Sequence, residues 1–231
     1  ASHDALPLDG NETSLEAGKW YYVSENITYD HTLNLQDGDV TIILCDGKSM
    51  NFGESNNYLN GKSINGDHSN LTIYGQSLDA TTAGTINVFT KGASILTDAY
   101  MQHSGNVNIV SGNIAIQTGS FTLAGGSLTI NSTNSWRIFS SSDLTIAGGV
   151  LDVRTNASQS GALYSAEGDI VLGWTNTTDR IYATSDQADN GNVRIADGQA
   201  MQDADNASTF FMGTVANPND IATKTLKPAV C

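Results

Sequence analysis

The sequence is poor in proline, positive charge and cysteine. Among 231 residues, 3 are Pro and 2 are Cys, and 10 Lys and Arg stand against 24 Asp and Glu. The formal charge of −14 argues against nucleic acid, because phosphate binding needs clustered Lys and Arg. It argues equally against insertion at anionic membrane surfaces. No run of 18 apolar residues exists, so no helical segment is long enough to span a bilayer. No basic-then-apolar leader opens the chain, and Ala1-Ser2-His3-Asp4 reads as a processed N-terminus or as a cut made within a longer chain. Long stretches with a 3.6-residue apolar period are missing too, which argues against a helical protein. Cys45 lies in the apolar run Thr41-Ile42-Ile43-Leu44-Cys45 and reads as a buried thiol. Cys231 is the last residue, and a Cys45–Cys231 disulfide is an arrangement the sequence permits without requiring.

Glycine is plentiful, at 23 residues, and Ser, Thr and Asn are abundant around it. That profile fits many short strands joined by polar turns. The length suffices for one core, so a single domain over residues 1–231 is expected.

The strongest signal is an internal repeat. Residues 106–133 divide into four blocks of seven, beginning at Asn106, Asn113, Ser120 and Ser127. Apolar residues occupy the second and fourth positions: Val107 and Ile109, Ile114 and Ile116, Phe121 and Leu123, Leu128 and Ile130. A spacing of two puts each pair on one face of a strand. The third positions, Asn108, Ala115, Thr122 and Thr129, should point outward. Gly112, Gly119 and Gly126 end the first three blocks and permit a bend. A coiled coil also repeats every seven residues, but its apolar spacing is three and four. Related triplets recur as Val40-Thr41-Ile42, Leu71-Thr72-Ile73, Leu144-Thr145-Ile146, Ile170-Val171-Leu172 and Val193-Arg194-Ile195. Each follows an Asp or Asn, which suits a turn.

Three such strands would complete one coil of a right-handed parallel β-helix, an all-β, three-faced solenoid. Three blocks of seven then stack Val107 and Ile109 on Leu128 and Ile130. Coil ends need covering. An N-terminal cap region over 1–35, with Trp20 to Val23 as its candidate, coils over 36–205 and a C-terminal cap over 206–231 are expected.

Several stretches resemble a repeat-rich module of large surface proteins from gut anaerobic bacteria. The opening is Leu15-Glu-Ala-Gly-Lys-Trp20-Tyr-Tyr-Val with Ile27-Thr28, followed by Asp39-Val-Thr-Ile-Ile-Leu-Cys-Asp-Gly47 and Leu71-Thr-Ile-Tyr-Gly-Gln-Ser77. The closing stretches are Leu172-Gly-Trp-Thr175, Asp179 to Ser185, Val193 to Gly198 and Lys224-Thr-Leu-Lys-Pro228. Glycine-rich "AGIGG" turns common in that module are missing, and residues 76–105 read as a divergent insertion. The resemblance implies a β-helix displayed outside a bacterial cell, with no defined ligand and no catalytic residues.

β-Helices also carry polysaccharide lyases and glycoside hydrolases, so an enzyme has to be weighed. Hydrolysis of that kind needs closely set carboxylates. The chain has no Asp-Asp, Gly-His-Gly or Arg-Ile-Lys stretch. A lyase needs a base with cations or Arg to stabilise the enolate. Only Arg137, Arg154, Arg180 and Arg194 are present, of which Arg154 is the least implausible. His3, His31, His68 and His103 lack metal-ligand spacing. Calcium is the one cofactor with residues at hand: Asp186, Asp189 and Asn190 share a loop, with Asp203 and Asp205 in the next segment. Sugar rings would stack on exposed aromatics, for which Trp136, Tyr100, Tyr58 and Tyr182 are the candidates. Trp20 and Trp174 read instead as packing residues. Seven Asn-x-Ser/Thr sites, at Asn11, Asn26, Asn70, Asn131, Asn156, Asn176 and Asn206, read as exposed turns. The expectation is an extracellular or cell-surface module without enzymatic activity, adhesin-like, binding polysaccharide or host glycans. The alternatives are a self-associating stalk or filament element and, third, a polysaccharide-cleaving enzyme.

Overall fold

A computed structural model describes residues 4–132, 135–153, 161–183, 186–188 and 191–229. The chain is all-β, built on long sheets of mainly parallel strands. Its N-terminal strands are β1 (Ala5–Pro7), β2 (Ser14–Leu15), β3 (Lys19–Val23), β4 (Ile27–Tyr29), β5 (Leu33–Leu35), β6 (Gly38–Leu44) and β7 (Ser49–Phe52). The middle holds the longest: β8 (Ile64–Gly75), β9 (Thr85–Thr90), β10 (Ile95–Gln102), β11 (Asn106–Ser111), β12 (Ile116–Leu123) and β13 (Ser127–Ser132). Short strands follow: β14 (Ile138–Ser140), β15 (Leu144–Ile146), β16 (Val150–Asp152), β17 (Leu163–Ser165), β18 (Ile170–Leu172), β19 (Arg180–Tyr182), β20 (Asp186–Ala188) and β21 (Val193–Ile195). The chain closes with β22 (Met201–Asp203), β23 (Asn206–Phe211), a 3-10 turn at Pro218–Asp220 and β24 (Thr225–Pro228).

The strands fall into two sheets of 14 and 10. Within the larger sheet, one ladder runs β1-β3-β6-β8-β10-β12-β15-β18-β21, using the second halves of β8, β10 and β12. Another runs β2-β5-β8-β10-β12-β14-β17-β20 through their first halves. The smaller sheet runs β4-β7-β9-β11-β13-β16-β19. From β2 to β21 the chain visits the three ladders in turn and returns to each one strand further along.

The repeated triplets owe their spacing to this register. Val40 pairs with Leu71, Leu71 with Tyr100, Tyr100 with Phe121, Phe121 with Leu144, Leu144 with Ile170, and Ile170 with Val193. All are buried, and two positions on, Ile42, Ile73, Leu123, Ile146, Leu172 and Ile195 form a second buried column. Each fully buried side chain of this size contributes ~1.5–3 kcal/mol. Val107 pairs with Leu128 and Ile109 with Ile130, as the 21-residue spacing predicts.

Four sequence expectations need correction. Ala115 faces the core instead of solvent, and Ile114 is only half-buried, because the chain is still turning there and β12 starts at Ile116. Residues 76–105 are not an insertion: β9 and β10 lie inside that stretch and pair on both sides, β9 in continuous register and β10 with one shift against β8 between Thr97 and Ala99. Tyr100 and Gln102 occupy inward positions filled in the other strands by aliphatics or Phe121, and the polar Gln102 and the hydroxyl of Tyr100 hid the repeat. Gly119 lies within β12, between its two halves, and ends no strand. Gly112 owes its place to close approach, since a Cβ there would meet the Lys91 carbonyl oxygen at 2.2 Å; only Gly126, with φ +74, needs the left-handed region. Trp20 to Val23 form an interior strand, with β1 outside it.

Strand direction reverses at the far end. β24 inserts antiparallel between β19 and β22, and β23 pairs antiparallel with β22. The buried Asp203 carboxylate accepts a hydrogen bond from Lys224 Nζ at 3.0 Å and another from Asp205 N at 3.0 Å. The Asp205 amide first, then the Lys224 ammonium, holds this carboxyl below its ordinary range.

Candidate functional site

An open groove of about 500 Å³ lies on the outer face of the first ladder. β3, β6, β8 and β10 build it, and alternation decides what each contributes. Val40, Leu71 and Tyr100 turn inward, so their neighbours in sequence turn outward. Register then assembles the outward residues into columns. The floor column is Trp20, Thr41, Thr72 and Met101. On one side stand Asp39 and Asn70, paired across strands, with Asn70 Nδ2 donating to Asp39 Oδ1 at 2.8 Å. On the other side stand Tyr74 and His103, whose rings stack at 4.6 Å with an interplanar angle of 6°. The Trp20 ring lies parallel to Tyr74 on the other side, at 5.8 Å and 14°. Lys19 closes the β3 end, while Ala99 and Met101 form the β10 end.

The mutual stacking fixes three half-buried rings as one unit across four strands. Amide, carboxylate and hydroxyl groups face that unit across the floor. The stack leaves ring edges and the outer faces of Trp20 and His103 toward the groove, a surface that with directed polar groups beside it suits a ligand having both apolar faces and polar edges. Trp20 therefore lines the groove as well as packing on Tyr74. Periodicity could have found the site only by following the outward positions next to each buried triplet residue.

The aromatics singled out from sequence are dispersed. Tyr100 is 1% exposed, stacks on Phe121 at 5.2 Å and donates from its hydroxyl to Gln102 Oε1 at 2.9 Å. It forms part of the core and offers no ring to solvent; burial pushes its phenol pKa upward. Tyr58 is half-buried against Phe89 and borders a smaller hollow of about 230 Å³ with Asn57 and Asp30. Trp136 leans on Tyr164 at 4.5 Å, and Tyr164 stacks on Phe139 at 5.2 Å. Tyr182 is half-buried in β19. Trp174 packs against the core and donates from Nε1 to the Ala200 carbonyl at 3.1 Å.

Of the calcium candidates, Asp189 and Asn190 lie outside the described residues, and only the backbone of Asp186 is described, within β20. Asp203 is engaged by Lys224, as above. Among the described residues, no three His, Cys, Asp or Glu come together as a metal-holding group. Cys45 is half-buried, with its thiol pKa raised first by burial and then by Asp46, while Cys231 lies outside the described residues, as do His3, Arg154 and Asn156. The other six sequon asparagines are all exposed, although Asn70, Asn131 and Asn206 stand in strands rather than turns. Arg137 is wholly buried, donating to the carbonyls of Ser135 and Ser132, and burial lowers its pKa.

Compared with protein-family models, curated proteins and solved structures, the chain finds no match.

Proposed function

We propose that the chain is a right-handed parallel β-helix with three faces per coil, and that it serves outside a bacterial cell as a non-enzymatic, glycan-binding surface module. The cyclic visiting of three ladders supports the coil, and parallel crossovers are right-handed in about 98% of cases. The groove carries the functional reading: a stacked Trp20–Tyr74–His103 unit faces Asp39, Asn70, Thr41 and Thr72. Aromatic rings take the C–H faces of sugars, and the polar side takes their hydroxyls. No residue has a catalytic role in this reading, and calcium has no assigned one. A glycan array with and without calcium tests it. Binding is expected, and Trp20→Ala should weaken it by ~3–10-fold, the worth of one aromatic contact. Absence of binding in both conditions overturns the reading.

A second reading, self-association, rests on a separate observation. Phe210 is 57% exposed in β23, the outermost strand of the smaller sheet, and Met212 just beyond it is 69% exposed. An apolar sheet edge is a template for another chain. Light scattering across a concentration series tests it: a higher mass that Phe210→Asp with Met212→Asp reduces to monomer supports assembly, and a monomer throughout excludes it.

A further inference from the structure

The groove has a direction, a length and a charge, and together these restrict its ligand. We infer that it takes a linear glycan without acidic groups, lying across the strands of β3, β6, β8 and β10; this rests on the glycan-binding reading above.

Direction follows from the register. Each strand supplies the same outward positions, so the floor column Trp20, Thr41, Thr72 and Met101 runs perpendicular to the strands. The paired carboxylate and amide of Asp39 and Asn70 run beside it in the same sense. A chain laid this way meets a threonine and an amide or carboxylate on each of the two central strands, between Trp20 at one end and Met101 at the other. Three steps between four strands at ~4.8 Å give a track of roughly 14 Å, enough for about three sugar rings.

Charge follows from the rim. Asp39 stands in the groove wall itself and is exposed. The chain bend leading into the same ladder adds Asp37, Asp67 and Asp98, all exposed. Lys19 is the single fixed cation lining the groove. A polyuronate or sulfated chain would bring one anion per ring or so along this acidic border, inside a protein of net charge −14. Like-charge juxtaposition of that kind is strongly unfavourable and also slows encounter. A neutral chain, or one with amino groups, meets no such barrier, and its hydroxyls can donate to the Asp39 carboxylate.

Titration calorimetry on the full chain distinguishes the outcomes. The probes are neutral β-1,4-linked gluco-, manno- and xylo-oligosaccharides of one to six units, and oligogalacturonates of the same lengths with and without millimolar calcium. Affinity for at least one neutral series should rise to about three units and then level off. Oligogalacturonates should bind at least about tenfold more weakly, and Asp39→Asn, which retains a side-chain partner for Asn70, should narrow that gap. Oligogalacturonate binding equal to or tighter than neutral binding, and lost in Trp20→Ala, overturns this inference while leaving the glycan-binding groove intact. Binding that stops improving at one unit overturns the lengthwise placement. No binding of any probe, or binding that Trp20→Ala leaves unchanged, removes the groove reading itself.

Discussion

At the scale of single residues, Tyr100 and Gln102 show how polar side chains are accommodated in the core. The Tyr100 hydroxyl donates to Gln102 Oε1, whose amide donates to the carbonyls of Gly105 and Ser127 at 3.1 and 2.9 Å. Removing the hydroxyl leaves a buried acceptor short of a donor, so Tyr100→Phe should cost ~1–2 kcal/mol in chemical denaturation. Leu128→Ala empties a fully buried site and should cost ~2–5 kcal/mol by the same measurement. Gly112→Ala pushes a methyl against the Lys91 carbonyl and should destabilise by ~1–3 kcal/mol. Asp203 supplies a pH signature. Its carboxyl is held below the unfolded value by the Asp205 amide and Lys224, so its stabilisation is present above the unfolded pKa. That stabilisation is lost as pH falls through the lower folded value. Comparing wild type with Asp203→Asn, the stability difference should shrink as acid is added below about pH 4. A difference that stays constant down to full protonation would contradict this linkage.

At the scale of elements, the terminal strands differ in kind from those between them. Interior strands pair parallel with their neighbours, whereas β24 is inserted antiparallel and ties β19 to β22. Leu226 anchors it, being buried opposite Ile181 and Asp203. Leu226→Asp should release β24 and leave the middle ladders folded. Amide exchange should then speed up in β19 and β22 and stay slow in β9, β11 and β13. Uniform acceleration across all strands would show instead that the array unfolds as one unit. The sequence anticipated this division only in outline. Its alternating triplets located β6, β15, β18 and β21, and the blocks of seven located β11 and β13. The antiparallel reversal left no periodic trace, because strand direction is set by which edge the chain returns to.

At the scale of the molecule, stability in a stacked array is a sum of nearest-neighbour terms. The 21-residue repeat allows a direct test. Excising residues 106–126 joins Gly105, with φ +82, to Ser127, the position that Gly126, with φ +74, now precedes. The backbone conformation at the junction is thereby preserved. β9 would then pair with β13, and β10 with β14 and β15, keeping inward residues inward. A folded, cooperatively melting protein, shortened by ~4.8 Å in small-angle scattering, is expected. Collapse of the β signal in circular dichroism would mean that the ladders do not form successive equivalent coils.

The sequence alone determined the strand content, the inward faces of most strands and the 21-residue stacking of Val107 and Ile109 on Leu128 and Ile130. It could do so because a two-residue apolar period is a local property, written into each strand separately. It misplaced Ala115 and set aside residues 76–105 because turns and polar core positions break that period. The groove was decided by tertiary structure alone. Trp20, Asp39, Asn70 and Tyr74 come from three strands and His103 from the residue after β10, and only the register brings them side by side. Outward positions carry no burial constraint, so nothing in the local pattern marks one exposed ring or amide as the neighbour of another.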